Sequence, residues 1–247
     1  MNRISDMYMK FNGVRDSDVG ARLIAMPTRQ VTALRGDKVT IPGRAGFLLA
    51  TKGWQEITIK ADIAVPDNSN LPAVKAWLRG RGQLIFGDFP TRYYDAVVMT
   101  VTPMQSITKR LEGQKMTVTF TCQPFMRAVT EDQVTITSGS VFSGLGDVES
   151  EPLVKVEGSG AQTLTINGRS MNLTLTSGTP LFIDNEAGTA YTIQSSEYVF
   201  AGDAVEVDDD WFELRPFYSN TDTTNWNNVT LTNGITRVTI TPRWRWL

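Results

Sequence analysis

The chain has 247 residues and a formal net charge of −2, from 24 Lys and Arg against 26 Asp and Glu, with one cysteine and no histidine. Without histidine, Ser-His-Asp catalysis, Cys-His catalysis and imidazole-bound zinc are excluded, and one cysteine makes neither a thiolate metal site nor an internal disulfide. Charges are scattered without a basic run, no apolar stretch is long enough for a membrane span, and residues 1–6 are too polar for a secretion signal. We therefore expect a non-enzymatic protein without a cofactor, made in a cytoplasm and not inserted into a membrane.

The first distinctive segment is Pro42-Gly43-Arg44-Ala45-Gly46. It is not a phosphate loop, because it lacks the Gly-Lys-Ser/Thr ending and its flanks do not read as a strand followed by a helix. The segment predicts a loop or β-bulge from which Arg44 projects.

Two strands are predicted next in the first half of the chain. Ile57 and Ile59 alternate with polar residues, and Val97, Met99 and Val101 do so further along. Alternation with period two marks a strand with one buried face. We therefore expect both strands to bury their apolar residues.

Residues 71–79, which lie between these strands, predict a short helix. Its apolar residues recur at helical spacing: Leu71, Val74, Trp77 and Leu78. Asn70 is a suitable N-cap, Pro72 is tolerated in the first turn, and Gly80 suits the left-handed position after a helix. We expect an amphipathic helix that packs on a sheet.

The clearest strand follows the helix. Its apolar residues alternate with threonines: Met116, Val118, Phe120 and Cys122. Threonine suits the outer face of a strand because its branched Cβ fits a pleated surface. Cys122 lies on the apolar side and is interpreted as a small buried hydrophobe, not a nucleophile. The polar, glycine-rich residues 130–152 then indicate a domain boundary.

The second half of the chain reads as β structure throughout. Leucine and isoleucine alternate with threonine around residues 163–176, and Asn167-Gly168 marks a reversal. Asn233-Gly234 predicts a type I′ hairpin in which Val229 lies opposite Val238. Arg243-Trp244-Arg245-Trp246 predicts a final core strand, with tryptophan on one face and arginine on the other. A nucleic-acid or inter-subunit role for this segment is the alternative.

These elements predict a mainly β protein of two domains. Residues 1–130 form an α+β domain with one short helix, and residues 131–247 form a β-sandwich.

Several acidic residues are candidates for a metal site or a catalytic carboxylate pair. Asp208-Asp209-Asp210 lacks the spacing and the glycine of a calcium loop and is interpreted as a solvated turn. Glu149 and Glu151 flank the start of a strand, and nothing indicates that they face one sugar ring as a glycosidase pair must. No metal site and no catalytic site are therefore predicted.

The order of motifs resembles the distal tail protein (Dit) family of phages with long, flexible tails. The similar segments run through nearly the whole chain: Phe11-Asn12-Gly13, Ile41-Pro42-Gly43-Arg44-Ala45-Gly46, Trp77-Leu78-Arg79-Gly80, Pro90-Thr91-Arg92-Tyr93-Tyr94, Phe120-Thr121-Cys122-Gln123-Pro124-Phe125, Ile166-Asn167-Gly168, Phe182-Ile183-Asp184 and Asn233-Gly234 through Pro242-Arg243-Trp244-Arg245. Each motif alone has little specificity, and the specificity comes from their shared order.

The resemblance implies a structural virion protein at the distal end of a phage tail. The first domain would form a hexameric ring of identical subunits, and the second would be a galectin-like β-sandwich that points outward. The implied partners are the tail tube protein, a tail-tip-associated protein and receptor-binding or other baseplate proteins, while DNA passes through the opening without specific binding. The second domain is too short for the long arm of some members, so arm-type attachment is not expected.

The contact between ring subunits is predicted to contain Gly43, Arg44, Ile57 and Ile59. The reason is that Arg44 projects between glycines and the strand with Ile57 and Ile59 lies nearby in the sequence. Other functions stay open. The chain is alternatively a carbohydrate-binding module whose stacking platform is Trp211, Tyr218 and Trp226, or another tail protein such as a tube subunit. A carboxylate enzyme is the third alternative.

Overall fold

The computed structural model describes residues 7–102, 105–106, 113–208, 210–217 and 226–247. The chain divides into two compact units, residues 1–129 and 130–246. Strands dominate both units, which confirms the predicted mainly β class. Within the described ranges, no helix has the length and apolarity needed to cross a bilayer.

The first unit contains one α-helix, α1 (Leu71–Trp77), and short 3₁₀ turns at Asp16–Val19 and Asn68–Asn70. Its strands are β1 (Met9–Phe11), β2 (Val14–Arg15), β3 (Arg22–Leu23), β4 (Leu34–Val39), β5 (Leu48–Trp54), β6 (Ile57–Val65), β7 (Arg81–Phe86), β8 (Arg92–Val101), β9 (Gln105–Ser106) and β10 (Gln114–Ala128). Eight of them form one sheet in the order β2-β1-β7-β8-β10-β6-β3, with β9 added beside β10. Strands β4 and β5 form a separate two-stranded sheet.

The core of the first unit forms on one face of the eight-stranded sheet. Ile59 of β6 lies opposite Phe120 of β10, and both side chains are fully buried. The Phe120 ring contacts Phe11 of β1 at 5.5 Å between centroids. Trp77 of α1 donates from Nε1 to the Phe11 carbonyl oxygen at 3.0 Å, so its indole packs in the core with its polar atom paired. This core joins the helix to the sheet, as the apolar spacing predicts.

The helix begins differently from the prediction. Asn70 makes no capping hydrogen bond from its side chain and belongs to the preceding 3₁₀ turn. The cap lies three residues earlier, where the Asp67 carboxylate accepts from the Ser69 amide at 2.8 Å. The 3₁₀ turn therefore takes over the role of the first helical turn. Gly80 has a φ of 78°, so the predicted left-handed end is confirmed.

Strand β8 corrects a second prediction, because Val97, Met99 and Val101 are exposed by 38%, 60% and 39%. Directly paired residues of antiparallel strands share a face, and the buried Cys122 of β10 pairs with Ala96. Ala96 and Val98 therefore face the core, and Val97 points away from it. A register shift then leaves Met99 without a partner, which alternation within β8 alone does not reveal.

Cys122 is buried, with 1% of its surface exposed, as alternation along β10 predicts. Burial raises the pKa of its thiol to about 12, so almost no reactive thiolate is present at pH 8. We expect a water-soluble disulfide reagent to leave the native protein unlabelled for as long as it stays folded. The same sample in guanidinium chloride should release one equivalent of the reagent's chromophore. Stoichiometric labelling of native protein would contradict the buried assignment.

The second unit contains the remaining strands and a 3₁₀ turn at Gly202–Ala204. The strands are β11 (Val134–Ile136), β12 (Ser140–Ser143), β13 (Leu153–Gly158), β14 (Gly160–Ile166), β15 (Arg169–Leu175), β16 (Leu181–Asp184), β17 (Thr189–Gln194), β18 (Glu197–Phe200), β19 (Val205–Val207), β20 (Trp226–Leu231) and β21 (Ile235–Thr241). They form a six-stranded sheet, β11-β21-β13-β16-β17-β18, and a five-stranded sheet, β12-β20-β14-β15-β19. Both sheets contribute to one apolar core, so this unit is a β-sandwich.

The turn at Asn233-Gly234 connects the two sheets, so the predicted hairpin between Val229 and Val238 is wrong. Neither turn residue has the positive φ that a type I′ turn requires. Strand β20 pairs with β12 and β14, whereas β21 pairs with β11 and β13. Val229 and Val238 are both fully buried in the common core, so both pack against apolar side chains although they do not pair with each other. The turn at Asn167-Gly168, with φ values of 55° and 88°, does close the β14–β15 hairpin as predicted.

Candidate functional site

Strands β4 and β5 and the connecting residues 40–47 form a hairpin, called here the apolar hairpin, that no other described strand extends. Every residue of this hairpin is exposed except Gly36 and Trp54, which are half-buried. An isolated two-stranded hairpin is marginally stable in water, and unpaired strand edges favour pairing with another chain. The hairpin therefore has the properties of an element that another surface covers.

Apolar side chains are concentrated in this hairpin. Six of them are between 38% and 56% exposed: Leu34, Val39, Ile41, Phe47, Leu48 and Leu49. Val31, which precedes the hairpin, is 70% exposed. Contiguous exposed apolar groups mark interaction sites, whereas single ones are ordinary. This concentration makes the apolar hairpin the strongest candidate interaction surface in the first unit.

Local contacts hold the base and the tip of the apolar hairpin. At the base, the Trp54 ring meets Phe125 edge-on at 5.4 Å, and the Gln55 amide donates to the Ala33 carbonyl oxygen at 2.9 Å. At the tip, Gly43 and Gly46 have φ values of 80° and 84°, which favour glycine. Among the described strands, the two between these ends pair with each other alone.

The four residues predicted for the subunit contact lie in two different environments. Gly43 and Arg44 are exposed at the tip of the apolar hairpin, and the Arg44 amide donates to the Ile41 carbonyl oxygen at 3.1 Å. The Ile57 and Ile59 side chains are 4% and 0% exposed in the core of the first unit, so they are not available to a partner. The sequence interpretation did not single out the apolar side chains of β4 and β5, although the run Phe47-Leu48-Leu49 was a usable signal.

The three aromatic residues predicted as a sugar platform do not form one group. Trp211 is half-buried and packs against the core of the sandwich, and its carbonyl oxygen accepts from Arg169. Trp226 is 51% exposed at the start of β20. Tyr218 lies outside the described residues. Trp226 is therefore the more exposed of these two indoles.

Two buried asparagines connect the chain segment 211–217 to the sandwich. Asn227 is fully buried, and its Oδ1 accepts from the Arg215 amide and from Asn167 Nδ2, each at 2.8 Å. Asn185 accepts from the Phe212 amide at 2.8 Å and donates to the Pro152 carbonyl oxygen at 2.7 Å. Buried backbone groups need hydrogen-bond partners, and these side chains supply them where no strand does.

The C-terminal segment packs in the core, but the predicted final strand is wrong: β21 ends at Thr241, Arg243 has a φ of 55°, and Arg245 forms an isolated bridge with Val148. Trp244 is 5% exposed in the core, and Arg245 pairs with Glu151. Arg243 binds Asp184 with two parallel hydrogen bonds, at 2.6 and 2.9 Å, and its amide donates to Glu131 at 2.8 Å. The Arg243 hydrogen bonds hold the pKa of Asp184 below its ordinary value of 3.8. This ion pair joins the end of β16 to the segment that follows β21.

Replacing Arg243 with alanine is expected to lower the free energy of unfolding by roughly 2 kcal/mol at pH 7, because both partners are about four-fifths buried. The pKa of Asp184 is lower in the folded state than its unfolded value of 3.8, so the ion pair stabilises the protein fully at pH values above 3.8. This contribution is lost as the pH falls through the folded-state pKa. The difference between wild type and variant should therefore shrink below pH 4 in urea titrations.

The matched control is Lys52→Ala, which removes an exposed ion pair with Asp37 and should cost less than about 1 kcal/mol. An Arg243→Ala penalty that is equally large at pH 3 and pH 7 would contradict the role of Asp184.

The acidic candidates for a metal site or a catalytic pair form structural hydrogen bonds. Asp210 accepts from the Trp211 amide at 2.8 Å, and Asp208 accepts from Asn172 Nδ2 at 3.3 Å. Asp209 lies outside the described residues. Over the part of the chain that the structure describes, no group of three or more cysteine or carboxylate side chains is placed to hold a metal ion.

The sequence matches no protein-family model and no curated protein. Its structure is similar to that of the Dit protein of phage SPP1, described as a paradigm of the hub adsorption apparatus in phages that infect Gram-positive bacteria. The TM-score is 0.75 at 15% sequence identity, over 98% of this chain and 99% of that one. Two structures of the activated phage P2 baseplate, with Ca and with Sr, give TM-scores of 0.47 and 0.43, each at 8% identity over 95% of this chain and 96% of theirs.

The SPP1 comparison shows that this chain has the fold of a Dit protein over nearly its whole length. The resemblance stated from the sequence motifs is therefore confirmed at the level of the fold.

Proposed function

We propose that this chain is a structural protein of a bacteriophage tail, a distal tail subunit that joins copies of itself in a closed ring. The observation that carries the proposal is the apolar hairpin: six exposed apolar side chains lie on a two-stranded sheet that no other described strand extends. The fold shared with the Dit protein of SPP1 supports the same role.

A ring requires that the apolar hairpin of one copy docks on a different surface of the next copy, in a head-to-tail contact. Pairing of one hairpin with the same hairpin of a second copy would give a closed dimer instead. Head-to-tail contacts close into rings when the rotation between neighbours divides a full turn. We propose six subunits, with residues 1–130 forming the ring and residues 131–247 forming an outward, galectin-like domain.

The proposed place of the ring is the distal end of the tail, between the tail tube and the tail-tip or baseplate proteins. Its partners there are the tube protein, a tail-tip-associated protein and adsorption components. DNA would cross the opening without specific binding. A role without catalysis agrees with the buried Cys122 and with the pairing of Glu151 to Arg245.

Light scattering on the purified protein, followed by negative-stain microscopy of the main peak, tests this proposal. The expected mass is close to six times the 27.4 kDa of the chain, with annular particles. A protein that stays monomeric at high concentration, and also when mixed with the neighbouring tail proteins, would overturn the ring. Normal assembly of an Arg44→Glu variant would remove Arg44 from the contact.

A further inference from the structure

The outward face of the five-stranded sheet, called here the polar sheet face, is built almost wholly from hydroxyl, amide and carboxyl side chains. Buried and exposed residues alternate along β14, β15 and β20, which directs one set of side chains away from the core. The polar outward set is Thr163, Thr165, Ser170, Asn172, Thr174, Glu206, Asn228 and Thr230, and the apolar Val141 of β12 lies opposite Asn228 on the same face. The threonines that identify these strands in the sequence therefore make up one continuous surface.

A groove of about 390 Å³ opens at one end of the polar sheet face. Thr163, Asn172 and Glu206 line it in register across three neighbouring strands, and Asp203 closes one side. The lining has two carboxylates and no lysine or arginine. Its ligand is therefore rich in hydrogen-bonding groups and does not carry multiple negative charges, because phosphates would be repelled here.

The groove side chains are held in place before any ligand arrives. Thr163 Oγ1 donates to Asn172 Oδ1 at 3.0 Å, and Asn172 Nδ2 reaches Asp208. Gln162 Oε1 accepts from Thr232 Oγ1 at 2.7 Å and from the Gly234 amide at 3.0 Å. Fixed side chains lose little conformational entropy on binding, which favours a specific site.

Trp226 lies on the same face, toward the opposite end of β20 from the groove. Its neighbours Asn227 and Val229 are fully buried, so the alternation directs the half-exposed indole outward with Asn228 and Thr230. Thr232 at the groove lies six positions after Trp226, a distance of about 20 Å along an extended strand. A ligand that contacts both must be an extended chain.

We propose that the polar sheet face binds a neutral oligosaccharide, with sugar hydroxyls in the groove and one sugar ring stacked on Trp226. Hydroxyl, amide and carboxyl groups supply the donors and acceptors that sugar hydroxyls need, and an indole offers a flat apolar surface to the C–H face of a sugar.

A peptide strand cannot add to this part of the sheet, because β14, β15 and β20 are each hydrogen-bonded on both sides. This binding goes beyond the ring role and does not depend on it.

The test is binding of the full-length protein to an array of neutral oligosaccharides, from single sugars to hexamers, with calorimetry on the strongest binder. We expect affinity to rise with chain length. Trp226→Ala and Asn172→Ala should each weaken it by roughly tenfold, since each removes one principal contact. Both side chains are exposed, so melting curves should match the wild type.

Tyr198→Ala is the matched control, since Tyr198 is an aromatic residue 76% exposed on the other sheet of the same unit. Its affinity should stay within about twofold of the wild type. The proposal is overturned if no oligosaccharide binds, if Tyr198→Ala alone weakens binding, or if only a basic peptide such as oligolysine binds and salt abolishes it. Rings that form normally without sugar binding would overturn this inference and leave the proposed function intact.

Discussion

Replacing Phe47 and Leu49 together with aspartate is expected to leave the subunit folded and to abolish ring formation. The two side chains are 56% and 44% exposed, and they lie on the same side of the hairpin because they are two residues apart. The change removes no core contact, so the melting temperature should stay close to that of the wild type. In a ring, the same change buries two unpaired carboxylates, which costs several kcal/mol for each contact. Light scattering should show monomers where the wild type gives rings.

The matched control is Leu145→Asp, which introduces one aspartate at an apolar side chain 53% exposed in the second unit. This variant should assemble as the wild type does. If the double variant still forms rings, the apolar hairpin is not the contact. If the control also fails to assemble, added negative charge is the cause and the assignment to the hairpin loses its support.

Replacing Asn227 with alanine is expected to lower the free energy of unfolding of the second unit by about 3 kcal/mol. The side chain is fully buried, and its loss leaves the Arg215 amide and Asn167 Nδ2 without one acceptor. It also removes the donor to the Arg215 carbonyl oxygen, at 3.3 Å. Urea denaturation followed by tryptophan fluorescence measures the change, because Trp211 and Trp244 pack in this core.

Asn228→Ala is the control for this variant, since the neighbouring asparagine is exposed on the polar sheet face. Its backbone amide still donates to Asn167 Oδ1 after the change. We expect a difference from the wild type within about 0.5 kcal/mol. Equal losses in the two variants would show that the position in β20, and not the buried hydrogen bonds, sets the penalty.

Local patterns in the sequence predict the elements well where one strand face alone is decisive. The alternation of Met116 to Cys122 predicts the buried face of β10, and Asn167-Gly168 predicts a two-residue hairpin. The prediction fails where pairing with another strand determines which face is buried or which sheet a strand joins. The face of Val97 depends on the register with β10, and the fate of Asn233-Gly234 depends on which sheet each flanking strand joins.

The candidate site is less visible in the sequence, for physical reasons. Apolar residues of β4 and β5 have the composition of core strands, and only the structure shows that neither face is covered within the described chain. Asn227 and Asn185 look like surface or turn residues in sequence, because burial of an amide depends on backbone groups distant in the chain. The sequence indicates Trp226 as a candidate for sugar stacking, but the threonines on the same sheet face are interpreted only as strand formers.

The isolation of β4 and β5 has a consequence for how a ring would begin to form. The core of the first unit is built from contacts within one subunit, whereas a hairpin with no covering surface gains order from a neighbour and so follows mass action. Each subunit that docks then presents its own exposed hairpin as the next attachment point. Under the proposed assembly, growth is slow among scarce subunits and becomes cooperative as synthesis raises their number. Closure of the ring stops the process, because it occupies the last free hairpin.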